Sequence, residues 1–210
     1  MPRQPTLETL RLLLRPFRMA DAETVQRLAG DRAVADTTLD IPHPYEDGMA
    51  EKWISNHRDW YERREQAVFA ITLKRSPPDA SSGIEMPSAG EQLLYASPRW
   101  QTATALLVGA VGLRIKIEDH RAEMGYWIGR PFWNQGYCTE AARAVLGFGF
   151  EQLRLNRIYA HHFARNPASG RVMQKLGMSH EGHLPQHVKK WDAFEDLELY
   201  GILKSQWSRC

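Results

Sequence analysis

The chain of 210 residues holds only two cysteines, Cys138 and Cys210. That is too few for a disulfide framework. Excess charge is also missing: 27 Lys and Arg against 25 Asp and Glu give a formal net charge of +2. No global field therefore calls for nucleic acid. No apolar run approaches the length of a membrane span. The opening "MPRQPTLETLRLLLRPF" does not read as a signal peptide, because Arg11 and Arg15 interrupt its apolar run and no small-residue cleavage site follows. There is no internal repeat, no Gly-Lys-Ser/Thr of a P-loop, and no three-glycine dinucleotide fingerprint. These absences lead to the expectation of a soluble, cytoplasmic protein that binds neither nucleic acid nor a membrane. What remains is an ordinary globular balance, 43% hydrophobic and 25% charged, sufficient to build a core. With no second domain in view, residues 1–210 are read as one domain.

The hydrophobic periods outline its elements. "LETLRLLLRPF" is short, Leu-rich and closed by Pro16, so it is read as a strand. "MADAETVQRLAGD" is a helix with Asp21 as N-cap, Val25 and Leu28 on one face, and Gly30 as its stop. "DTTLDIPHPY" is a loop. Residues 46–64 form one helix with Met49, Trp53, Ile54, His57 and Trp60 along a stripe. "AVFAITLK" is a strand. The Ser-, Pro- and Gly-rich residues 76–92 are expected to be a mobile insertion. "LLVGAVGLRIK" and "AEMGYWIG" pair as a hairpin around "IEDHR". A helix runs from Thr139 to about Leu153, followed by the strand "NRIYAHHFA". A short helix then starts near Asn166 and stops at Gly177. "HEGHLPQHVKKW" and "EDLELYGILK" form a last hairpin turning at "WDAFED". The order predicts a mixed α/β (α+β) domain.

The stretch "FWNQGYCTEAARAVLGFGF" sets one glycine and a row of free N–H groups at the mouth of a helix. The first N–H groups of a helix have no partner inside it, and the helix dipole favours an anion there. Gly136 has no Cβ and lets a bulky group approach. A phosphate or pyrophosphate would fit at 133–139. Equally, Thr139 could simply cap the helix.

Four stretches, taken together and in order, resemble the GNAT superfamily of acyl-CoA-dependent N-acyltransferases, and within it the Rim-type branch that acetylates N-terminal amines of ribosomal proteins. They are "TLETLRLLLRPF", "AEMGYWIGRPFWNQGYCTEAARA", "LNRIYAHHFARNPASGRVMQKLGM" and "EGHLPQHVKKWDAFEDLELYGIL". The resemblance implies a central, mostly antiparallel twisted sheet with one splayed parallel strand pair, flanked by about four helices. It implies acetyl-CoA as cofactor. The strand ending at Tyr126, Trp127 and Ile128 would part from the strand 157–163, and the pantetheine arm would lie in the gap. The pyrophosphate would rest on the N–H groups of Gln135, Gly136, Tyr137, Cys138 and Thr139, with Asn166 bonding the arm. Trp133 and Asn134 stand where much of the superfamily has Arg or Gln and a second glycine. The Tyr that many members use to protonate the leaving thiolate is replaced by Met173, which has no proton to give. Ser169, one helical turn from Asn166, is the substitute that the branch implies.

The implied reaction is direct attack of a neutral amine on the acetyl thioester in a ternary complex. Backbone near Trp127 and Ile128 would steady the oxyanion. A peptide N-terminus, with a pKa near about 7.7–8.0, needs less help to lose its proton than a Lys near about 10.4. Glu123 is the candidate base, sharing a strand face with Gly125 and Trp127. His161 and His162 are alternative bases, and being adjacent on a strand they face opposite sides. The same geometry argues against a metal at His180, His183 and His187. Cys138 could be a nucleophile, since helix N-termini lower a thiol pKa, but the resemblance makes it the small residue of the phosphate loop. Tyr45 and Trp53 follow the loop that covers the acceptor side in the family. The expected partners are acetyl-CoA and an amine acceptor, the protein being a monomer or homodimer. A protein N-terminal amine is the first reading. A small amine (polyamine, amino acid or aminoglycoside) and a non-catalytic acyl-CoA-binding module are the others.

Overall fold

The computed structural model describes residues 3–74 and 106–207; the expected insertion at 76–92 lies outside them. The strands are β1 (Leu7–Glu8), β2 (Leu12–Pro16), β3 (Gln66–Leu73), β4 (Leu107–Lys116), β5 (Arg121–Ile128), β6 (Arg157–Phe163), β7 (Ser179–Lys190) and β8 (Ala193–Leu203). Interleaved with them are the helices α1 (Ala22–Ala29), α2 (Arg32–Asp36), α3 (Met49–Ser55), α4 (His57–Glu62), α5 (Tyr137–Glu151) and α6 (Pro167–Lys175). The strands form one sheet in the order β1-β2-β3-β4-β5-β6-β8-β7. Every neighbouring pair is antiparallel except β5 and β6, which run parallel. The mixed α/β class and the splayed parallel pair are therefore as expected.

Several boundaries differ from the sequence reading. The first strand is broken in two at the turn Thr9–Leu12, where Leu10 stands 90% exposed. The helix expected over 46–64 is two helices. Their break falls at Asn56, whose side-chain amide donates to Lys52 O at 2.7 Å, a local bond that competes with the helix ladder. The short helix α2, capped by Asp31 accepting from Ala33 N, was not anticipated. The last hairpin turns tightly at Trp191 and Asp192, not across six residues.

The core forms on both sides of the sheet. Helix α5 buries Ala141, Ala142, Val145, Leu146, Phe148 and Phe150 against strand residues such as Leu113, Met124 and Ile158. Each large side chain removed from water contributes roughly 1.5–3 kcal/mol. A second cluster joins α1 and α3 (Ala22, Val25, Ala50, Ile54) to Ala70 and Leu107, with Trp53 and Trp127 packed on it. The entry to α1 is fixed by Arg15, whose guanidinium grips Asp21 at 2.7 and 2.8 Å, both residues being buried. Asp21 also accepts from Arg18 N. A buried pair so completely bonded anchors position more than it adds stability.

Among the described residues, His57 has no hydrogen-bond partner on either ring nitrogen. It sits among Phe17, Trp53 and Trp60, with the Trp53 ring 4.3 Å away and nearly perpendicular. That edge-to-face setting lets an N–H point at an indole face. Burial lowers its pKa from 6.5 to about 4. The folded state then keeps His57 neutral while the unfolded chain takes up a proton below 6.5. Stability contributed above pH 6.5 is lost progressively as pH falls toward 4, by on the order of 3 kcal/mol at most. His57→Phe, which suits the same aromatic slot, is expected to flatten this acid limb of the denaturant-unfolding free energy. An unchanged slope between pH 6.5 and 4 would contradict the assignment.

Candidate functional site

Strands β5 and β6 pair only through Arg121–Arg157, Ala122–Ile158 and Glu123–Tyr159. Beyond these three rungs they part. On their outer sides β5 stays paired with β4 through Ile128, and β6 with β8 through Phe163. The facing edges of 124–127 and 160–163 are thus left without a strand partner. Polar main-chain groups in such a gap need a partner from elsewhere.

At the open end of the gap, β5 runs into a 3₁₀ turn at Arg130–Phe132 and then into α5. Trp133 donates its indole N–H to Ile128 O at 2.7 Å and pins the loop to the strand end. Asn134 and Gly136 both take positive φ, 60° and 78°. Asn tolerates this region and Gly enters it at no steric cost. The helix starts at Tyr137 with Gly136 as N-cap, two residues before the expected start, so Thr139 is not the cap. The N–H groups of Gln135, Gly136, Tyr137, Cys138 and Thr139 donate to no group among the described residues. Five free donors at a helix N-terminus, beside a gap between parted strands, fit a diphosphate with an amide-bearing tail.

A carboxylate stands close behind this loop. Glu140 accepts from the Thr9 hydroxyl at 2.6 Å, Arg11 N at 2.8 Å and Arg11 Nε at 2.7 Å. Burial pushes its pKa up, but these bonds outweigh burial and hold it below the usual carboxylate range. Arg11 also donates to Gln135 O at 3.0 Å and lies over the Tyr137 ring. This bracing of the loop by the turn between β1 and β2 was not read from the sequence; residues 124 and more positions apart carry it.

Across the gap, Asn166 caps α6 through its Oδ1, which accepts from Ser169 N at 3.4 Å, while its Nδ2 lies 3.5 Å from Thr37 O. The Ser169 hydroxyl is 2.9 Å from the Tyr126 hydroxyl, which also lies 3.0 Å from Ser169 O. Burial is the main force raising the Tyr126 pKa, so the phenol keeps its proton. The sequence reading brought Tyr126 to the gap through its backbone and missed this side-chain pairing. Nothing local signals it, because 43 residues separate the partners.

Glu123 faces a cavity of about 490 Å³, with His161 Nδ1 3.5 Å from its Oε1. Trp127, Trp53 and Tyr45 border the same cavity. His162 also borders it, but its Nδ1 is 2.8 Å from Phe163 O and its Nε2 is pressed against Gly170, where a Cβ would come within 2.6 Å. Of the two adjacent histidines, His161 is the one beside Glu123.

Burial pushes the Cys138 thiol up to about 12, opposing the lowering that a helix N-terminus gives. One expectation needs correction. His180 and His183 are not separated by strand alternation. A bulge between His180 and Gly182 turns both toward Glu198, at 2.6 and 2.8 Å.

The chain is similar to known acetyltransferases. A family profile described as acetyltransferase (GNAT) domain matches residues 11–179. The uncharacterized N-acetyltransferase YnaD of Bacillus subtilis (strain 168) is 34% identical over 102 residues, 49% of this chain and 60% of that protein. The ribosomal-protein-serine acetyltransferase of Escherichia coli (strain K12) is 31% identical over 102 residues, 48% of this chain and 57% of that protein. The chain thus spans under two thirds of the length of these curated relatives. The crystal structure of a GNAT-family acetyltransferase from Bacillus anthracis superposes with a TM-score of 0.72 at 25% identity, covering 96% of this chain and 99% of that one.

Gly136→Ala tests the loop. At φ 78° the added Cβ is strained, costing about 1–2 kcal/mol of stability. Calorimetry is expected to show coenzyme A affinity reduced about tenfold. Gly48→Ala, strained at φ 82° but with open space around it, is expected to lower stability alike and leave that affinity intact. Equal affinity in both variants would count against the loop.

Proposed function

Because the chain belongs to the acetyltransferase (GNAT) domain family, we propose that it transfers an acetyl group from acetyl-CoA to a primary amine, and that the amine is the α-amine of a peptide or protein. The observation that carries the reading is the parting of β5 and β6 after three rungs, next to five unpartnered amides at the start of α5. When bound, acetyl-CoA supplies an activated acetyl thioester. Gln135 to Thr139 hold the diphosphate, and the free edges of β5 and β6 hold the amide-bearing arm.

Glu123 accepts the proton of the incoming amine, directly or through water, with His161 beside it to share the charge. A terminal amine, with a pKa near about 7.7–8.0, loses its proton near neutrality with modest help. Main-chain N–H groups near Trp127 and Ile128 stabilise negative charge as it develops on the carbonyl oxygen. Ser169 gives its proton to the departing sulfur. The Tyr126 phenol donates to Ser169 O at 3.0 Å and its oxygen lies 2.9 Å from Ser169 Oγ, which fixes where the serine hydroxyl sits. Similarity to a relative named for acting on ribosomal protein supports a peptide acceptor. The cleft supports it as well, since its Asp40 carboxylate is already tied to Arg114 and does not form an acidic pocket for a polycation.

Thiol release from acetyl-CoA is expected with free-amine peptides and not with the same peptides N-terminally blocked, whose lysines remain free. Ser169→Ala and Tyr126→Phe are each expected to lower kcat about 10²-fold with little change in KM for acetyl-CoA. Glu123→Gln is expected to lower kcat similarly. Equal turnover of blocked peptides would refute the α-amine assignment.

A further inference from the structure

We infer that the cleft beside β5 selects an acceptor whose amine-bearing residue is apolar, a peptide N-terminus beginning with Leu, Met or Phe; the inference rests on the N-terminal reading above. One wall of the cavity is carbon. Tyr45, Met49, Trp53 and Trp60 come from α3, α4 and the loop before them, and Val68 comes from β3. The wall is braced from behind. Trp53 packs on Phe17 at 5.0 Å and on His57 at 4.3 Å, and His57 lies 5.6 Å from Trp60. His57 makes no hydrogen bond and is kept neutral by burial, so no charge stands behind the indoles near neutral pH.

Charge on the cavity is nearly cancelled. Arg114 forms its ion pair with Asp40, while Glu123, its cross-strand neighbour, is approached by His161 at 3.5 Å. That is enough for one ammonium or amine. A polyamine would set its further ammonium groups against largely apolar surface, with no unpaired carboxylate left for them among the described lining residues. A first residue such as Ser or Asp would place a hydroxyl or carboxylate on indole and thioether surface and lose its hydration. An apolar first residue gains by the same burial. Complete burial of such a side chain corresponds to roughly 10- to 100-fold in affinity.

The test uses one peptide varied only at residue 1, as Phe, Leu, Ser or Asp, with spermidine as a further acceptor. Binding to the protein saturated with CoA is measured by calorimetry, and acetyl transfer by thiol release. Phe and Leu peptides are expected to bind and react at least about tenfold better than the Ser peptide. Trp53→Ala is expected to shrink that ratio to below about threefold; should it fail to fold, Trp60→Ala is read instead, and the ratio for the unaltered protein is decisive alone. Equal or better binding of the Ser or Asp peptide or of spermidine would overturn the inference. So would a ratio untouched by the Trp variants. Apolar-selective binding without any acetyl transfer would uphold it while refuting the acyltransfer reading.

Discussion

Two parallel strands that separate after three rungs leave main-chain N–H and C=O groups facing one another across a space too wide to bridge. Inside a protein such groups are costly unless something pairs with them. Neither strand can close on the other, because each is already locked on its outer side, β5 to β4 and β6 to β8. The N-terminus of α6 is tied across the divide by the Tyr126–Ser169 contact. The rest of the architecture serves this opening. The loop after β5 turns through Asn134 and Gly136 beside it, and α1, α3 and α4 build the wall on its far side.

Electrostatics in the donor region depends on Glu140. An unpartnered carboxylate one turn into α5 would repel a diphosphate at the helix mouth. Both of its oxygens are engaged by Thr9 and Arg11 instead. The first strands therefore do more than extend the sheet edge. They neutralise a charge in the middle of the chain, and Arg11 adds a cation beside Gln135 and Tyr137.

Much of this was legible before the structure. Strong periodicity located β3 to β6, α1, α5 and α6, and the Asn-Gln-Gly-Tyr run located the helix mouth. What escaped was set by tertiary contacts or by fine local competition. Asn56 breaks a helix because its side chain bonds Lys52 O, although the apolar stripe continues across it. The bulge after His180 reverses an alternation that counting residues takes for granted. The Cys138 thiol is pushed up by surroundings that no property of the helix end announces. The Tyr126–Ser169 pair joins two stretches whose hydroxyls only folding brings to 2.9 Å.

Lys190 lies at the tip of the last hairpin and is almost wholly buried. Its ammonium donates to Leu39 O at 3.1 Å and Ile41 O at 2.7 Å, and burial lowers its pKa. Two segments some 150 residues apart are thus riveted together by one cation. Swinging the 39–41 segment outward would strip that cation of both oxygens. The cavity edge formed by residues 39–41 is therefore clasped by the far end of the sheet, and can open only by leaving a buried charge unsolvated.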